Sequence, residues 1–384
     1  MRLEPFAVAV DEAELDDLRR RLRDTRFPSE APGPAWSQGT DLDYLRWFVS
    51  YWADEFDWRS TERELNQFDH YLAEVGEYRI HYVHQQARHG DGLPLILIHG
   101  WPSSFMEYLA AIPMLTNPAG HGIDGPAFDV VVPSLPGYGF STRPSRVGVN
   151  YADVAGVFLE LMADLGYQRL GAGGGDFGSG VAAHMAMQAP ERLLGLHLTN
   201  IEIGFEGSPI GELNDAEAAF IQERDQWDAR ERGYSSIQST KPQTLAYALT
   251  DSPAGLAAWL LEKWRSWTDS GGDPAARLSL DFLAALATIY WVTSSISTST
   301  RDYYDNRWHP APLSRVEVPT AVAVFANQFV KEAEPPRSWI ERLYNVQHWT
   351  EHAAGGHFAP AEEPALFARD IAAAFGQFTT TPPL

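Results

Sequence analysis

Gly174-Gly175-Asp176-Phe177-Gly178 is the stretch on which the fold turns, and a helical pattern begins just behind it near Gly180 and Val181. Small residues two before and two after a central residue suit a sharp strand-to-helix bend, where larger side chains would collide. Such a bend presents its central side chain at the top of a sheet, beyond the end of its strand, and here that side chain is a carboxylate. Taken alone, Gly-x-Asp-x-Gly also suits a glycine-rich turn with a capping Asp, or a phosphate loop. A dinucleotide fingerprint fits poorly, because the turn lies mid-chain with no ribose-binding acid at a sensible spacing behind it. Gly171-Ala172-Gly173, immediately ahead, is weakly strand-like.

The flanking sequence supplies the layers. Tyr78–His84 alternates as a half-buried strand does. Leu95-Ile96-Leu97-Ile98 and Phe128–Val132 are short continuous apolar runs, suited to parallel strands buried on both faces. Helical patterns follow at Phe105–Leu115 and Ala152–Leu165. Strand alternating with helix defines an α/β class with a mainly parallel sheet.

Upstream, a helix is expected from about Asp11, with Glu14 as its capping-box partner and Leu15, Leu18 and Leu22 on one apolar face. Pro28, Pro32, Gly33 and Pro34 break the chain before a second helical pattern through Leu42, Leu45, Val49 and Trp52. With no alternating strand signal, residues 1–75 read as an N-terminal helical arm. From about Phe205 to Tyr304 the pattern is again helical and rich in Trp and Tyr; strands resume at Thr320–Phe325 and a last helix covers Ala365–Phe375. The expected division is therefore an arm (1–75), a core (76–204 and 305–384) and a helical lid (205–304) over the strand ends, where α/β sheets hold ligands. The tail, residues 379–383, is expected to fray.

A net charge of −22 argues against nucleic acid or an anionic membrane surface as partner. The chain has no Cys, which removes disulfides and thiolate metal sites. Met1–Val10 is too short and too broken for a signal peptide or a membrane span. The expectation is a cytoplasmic protein.

A carboxylate at such a bend constrains the chemistry. With an unperturbed pKa of about 3.9 it is already ionised at neutral pH, whereas a Ser hydroxyl needs a base. Attack on an acyl carbon would give an anhydride. Attack on a saturated carbon gives an ester that base-activated water can cleave, so Asp176 points to an epoxide or a carbon–halogen bond.

His99-Gly100-Trp101-Pro102 follows the Leu95–Ile98 strand, and Gly355-Gly356-His357-Phe358 lies between the last strand signal and the last helix. In the α/β-hydrolase fold the first loop and the residue after the nucleophile supply the backbone donors of an oxyanion hole, here Trp101 and Phe177. His357 falls in the chain order that fold uses for its base. These motifs, the Trp36–Trp58 arm and the lid segments Gly233–Pro242, Asp251–Leu256 and Thr300–Tyr304 together make the chain resemble the microsomal-type epoxide hydrolases, especially their soluble bacterial members. The resemblance covers nearly the whole length. It implies conversion of an epoxide to a vicinal diol, with Asp176 as nucleophile, His357 as base, and Tyr234 and Tyr303 on the epoxide oxygen, Tyr304 being the near alternative. It implies a small apolar epoxide and water as partners and no cofactor or metal; it allows a homodimer and a place in specialised metabolism.

Two positions depart from that pattern. Phe177 stands where the family usually has Trp, which removes an indole N–H of the kind haloalkane dehalogenases use to hold halide. Gln328 stands where the acid that orients the His is usual. Glu332, in an enlarged loop, is the substitute expected here, with Glu334 and Glu202 as alternatives. Haloalkane dehalogenation, or ligand binding without catalysis, are the competing functions.

Overall fold

In the computed structural model, which describes residues 3–201 and 212–380, nine strands form one sheet in the order β1-β2-β3-β5-β4-β6-β7-β8-β9. They are β1 (Leu3–Phe6), β2 (His70–Val75), β3 (Tyr78–Gln85), β4 (Leu93–Ile98), β5 (Phe128–Pro133), β6 (Leu170–Asp176), β7 (Leu193–Ile201), β8 (Val316–Phe325) and β9 (Tyr344–His352). From β5 onward across the sheet every pairing is parallel, while β1, β2 and β3 join antiparallel at one side. Leu95–Ile98 and Val130–Val132 have no exposed surface, as befits parallel strands covered by helices on both faces.

The chain leaves β4 to one side for β5 and returns on the other side for β6. That reversal opens a crevice at the carboxyl ends of β4 and β6, the place where such sheets bind ligands. Ile98 is in register with Gly174, so the loop after β4 and the bend after β6 emerge side by side.

The glycines of β6 have a packing reason. A Cβ at Gly171 would lie 2.4 Å from the Phe375 ring, so the helix Pro364–Thr380 can close on the sheet only because none is there. β-Propensity read from the sequence misses this, since the strand is specified by its neighbours.

The arm differs from the expected purely helical segment. It contains the helices Glu12–Arg23, Leu42–Asp54 and Trp58–Leu65, but β1 and β2 extend the sheet. β1 is four residues long and carries Pro5 at the sheet edge, where a missing N–H is tolerated. β2 owes its state to the tight hairpin with β3, in which Val75 pairs with Tyr78. Leu15, Leu18 and Leu22 are buried as expected, whereas the side chain of Asp11 makes no capping bond.

Six α-helices lie between β7 and β8 among the described residues: Asp215–Glu231, Gly233–Gln238, Pro242–Asp251, Pro253–Trp267, Leu280–Val292 and Ile296–Trp308. They lie in the segment expected as the lid, of which residues 205–211 fall outside the described residues, and the last helix runs four residues beyond Tyr304. The arm fastens to them through Thr40 Oγ1 on Ala258 O (2.6 Å) and Trp52 Nε1 on Thr288 Oγ1 (2.9 Å). The lid in turn holds the loop after β4, with Trp264 Nε1 donating to Pro102 O and Tyr290 OH to Ser103 O. β9 carries polar residues along a half-exposed edge, so its sequence lacks an apolar strand signature. The last helix is longer at both ends than Ala365–Phe375, and residues 381–383 of the expected tail lie outside the described residues.

Candidate active site

Asp176 ends β6 with φ 54° and ψ −133°, a conformation sparsely populated by non-glycine residues and held only where the surroundings enforce it. The enforcement is local. A Cβ on Gly178 would lie 1.9 Å from the Ile98 carbonyl oxygen, so the bend closes against β4 only with glycine there. Its side chain faces the crevice, where Oδ1 accepts hydrogen bonds from the Trp101 N–H (2.9 Å) and the Phe177 N–H (2.7 Å). Phe177 begins the helix Phe177–Gln188, whose N-terminal amides favour negative charge. Both backbone donors expected from the sequence thus converge on one carboxylate oxygen.

The other oxygen, Oδ2, lies 3.5 Å from Nε2 of His357. The imidazole is buried and packs 4.8 Å from the Trp267 ring. Its loop is fixed at three points: His357 N–H donates to Trp267 O (2.8 Å), Asn200 Nδ2 donates to His357 O (2.6 Å), and Phe358 N–H donates to Glu362 Oε1 (3.0 Å). Glu362 also accepts from Asp269 N–H at 2.7 Å, joining the His loop to the end of a lid helix. Burial pushes the Glu362 carboxyl up to about 7.

On the far side of the imidazole, Nδ1 lies 3.3 Å from Oε1 of Gln328. Gln328 Nε2 donates to Asn200 Oδ1 and Val330 N–H donates to Gln328 Oε1, which fixes the direction of the amide. Glu332, expected to orient His357, is engaged elsewhere: its Oε2 lies 3.5 Å from Arg232 Nη2, because its loop coils into a short 3-10 turn against the lid. Glu334 pairs with Lys331 at 2.7 Å. Glu202 lies outside the described residues. The side chain at His357 Nδ1 is therefore an amide.

Tyr234 and Tyr303 are both buried, at 6% and 5% exposure, and their rings lie 5.9 Å apart. Tyr234 stacks on Trp101 at 5.5 Å and 8°, and Tyr303 meets Phe177 at 4.9 Å. The two phenols thus stand over the two residues whose amides hold Asp176. Burial drives both hydroxyls well above the ordinary phenol range, with Asp176 adding to the effect, so they remain proton donors. Tyr304 turns away, packing on Trp308 at 6.3 Å.

Two side chains at this site are not among those expected from the sequence. Asn200, at φ 44°, ties the His357 backbone to Gln328, and nothing in a single sequence distinguishes it from other asparagines. Glu107, in the turn Phe105–Tyr108, lines the cleft shared by Asp176 and His357. Burial raises its carboxyl to about 8. An acid inside an apolar run, Phe105-Met106-Glu107-Tyr108, was the available signal.

The sheet order, the strained bend after β6 and the His loop after β9 define an α/β-hydrolase with a carboxylate at its elbow. Residues 94–234 match the family model for the alpha/beta hydrolase fold, and residues 3–108 match the one described as the epoxide hydrolase N terminus. A relative in Stigmatella aurantiaca, provisionally named an epoxide hydrolase, is 40% identical over 97% of this chain and 84% of its own length. Epoxide hydrolase 1 of Sus scrofa is 35% identical, covering 96% of this chain and 87% of the relative. The crystal structure of juvenile hormone epoxide hydrolase from the silkworm Bombyx mori superposes with a TM-score of 0.87 at 30% identity, covering 98% of this chain and 95% of that one. The chain belongs to the epoxide hydrolase family and is an epoxide hydrolase.

Proposed function

We propose that the enzyme opens a bulky, apolar epoxide through a covalent ester on Asp176. The observation that carries this reading is the division of labour on one carboxylate. Oδ1 is taken up by the Trp101 and Phe177 amides, while Oδ2 has no backbone donor among the described residues and faces His357. Oδ2 attacks a ring carbon, the carbon–oxygen bond of the strained ring breaks, and the oxygen takes a proton from Tyr234 or Tyr303. The ester carbonyl is then Oδ1, already seated between two N–H donors. His357 Nε2 removes a proton from water, the hydroxide adds to the ester carbon, and the oxyanion formed on Oδ1 is held by those same amides. Collapse releases the diol and restores the carboxylate, and the proton on His357 returns through water to the phenolate.

The aromatic walls, Trp101, Tyr234, Trp267, Tyr303 and Phe177, suit an apolar substrate. A substituted aryl epoxide such as styrene oxide is an appropriate probe. Rapid quenching during turnover, followed by peptide mass analysis, is expected to show a hydroxyalkyl adduct on the peptide containing Asp176. Asp176→Asn is expected to reduce kcat by on the order of a thousandfold or more. Diol formation with no adduct at any quench time would instead mean direct attack by water.

A further inference from the structure

Lysine is scarce in this chain, at positions 241, 263 and 331 only, and one of the three is buried beside the site. Lys263 lies on the lid helix Pro253–Trp267 and is 6% exposed. A lysine on a helix normally carries its ammonium out to water. This one turns inward, with its Nζ 4.3 Å from the centroid of the Tyr234 ring and the Glu262 carboxylate in contact with it.

A cation over an aromatic face is attracted by the ring, more strongly where water is excluded. The attraction is larger for a phenolate than for a phenol, because the ring then carries net negative charge. A fixed ammonium therefore stabilises the state in which the phenol has given up its proton more than the state before, which is the condition for accelerating a step. The need is evident in the surroundings. Burial, Glu332 and Asp176 all oppose a negative charge on Tyr234, while the Tyr303 hydrogen bond and Arg232 ease it. Arg232 is itself paired with Asp228 at 2.8 Å and Glu332 at 3.5 Å.

We propose that Lys263 is a positioning residue that acts through Tyr234, its buried ammonium favouring proton transfer from the phenol to the opening epoxide oxygen. The proposal rests on the reading that Tyr234 is the proton donor. It assigns Lys263 to ring opening alone, since the later attack of water is promoted at His357.

The test is single-turnover kinetics with styrene oxide and excess enzyme, following ester formation and ester decay separately across pH. K263M is expected to slow ester formation about tenfold to thirtyfold while leaving ester decay within about twofold. The alkaline limb of the ester-formation profile is expected to move to higher pH, and K263R is expected to recover most of the rate. In a Y234F background, K263M should add little further loss. Wild-type ester formation in K263M would overturn the proposal, as would equal slowing of both steps with an unmoved profile. If K263M folds poorly, K263Q replaces it with the same expected and contrary results. Normal ester formation in Y234F would remove the role of Tyr234 itself, whereas a slow Y234F beside a normal K263M would remove only that of Lys263.

Discussion

His357 Nδ1 and Gln328 Oε1 stand 3.3 Å apart, so the imidazole of this hydrolase is oriented by a neutral amide. Oε1 accepts the Nδ1 proton and leaves Nε2, the nitrogen facing Asp176, with its lone pair. On the proposed mechanism, what the amide lacks is charge to stabilise the imidazolium that forms when His357 deprotonates water. Gln328→Glu is expected to accelerate ester decay several-fold in single-turnover experiments, with its acidic limb moving to higher pH and ester formation little changed. An unchanged decay rate and profile would show that the amide supplies all that the step needs.

Tyr303 and Tyr304 are adjacent in sequence and opposite in placement. Tyr303 lies against Phe177 beside the Asp176 carboxylate, while Tyr304 packs on Trp308. Tyr303→Phe is expected to lower kcat/KM for diol formation by roughly a hundredfold, in the range of a lost general acid, and Tyr304→Phe by less than about threefold. Equal losses in the two variants would contradict the assignment.

Glu107 gives the enzyme a pH-dependent stability. Its carboxyl titrates near 8 in the fold, raised by burial from an ordinary value of 4.5. Between those values the folded protein keeps a proton that the unfolded chain has released, so the stabilisation present below about 4.5 is lost as pH rises through about 8. Glu107→Gln removes this loss. In thermal unfolding the Tm of the variant is expected to gain on the wild type steadily from pH 5 to pH 9, levelling off above about 8. A constant difference across that range would mean that Glu107 does not hold its proton.

The sequence showed most clearly those features whose pattern is local. The bend at Asp176 is legible through its flanking glycines taken together with the strand before it and the helix after it, and the buried strands β4 and β5 are legible because covered parallel strands are apolar throughout. β1 and β9 are the two edge strands and are specified by partners more distant in the chain, while β2 is set by its hairpin with β3, so none of the three stands out as an apolar run of its own. The partner of His357 differs from the expected one for a related reason. Charge favoured Glu332 in sequence, but which side chain reaches Nδ1 depends on how the loop after β8 coils, and Arg232 on a lid segment draws Glu332 away.

The covalent ester is tested most directly by the fate of oxygen in one turnover. On the proposed mechanism, with enzyme in excess over epoxide in H2(18)O, the oxygen added to the substrate would come from Asp176 Oδ2 and the water oxygen would enter the regenerated carboxylate. The account predicts unlabelled diol from the first turnover and a gain of 18O in the peptide containing Asp176. Labelled diol with an unlabelled Asp176 peptide would contradict it.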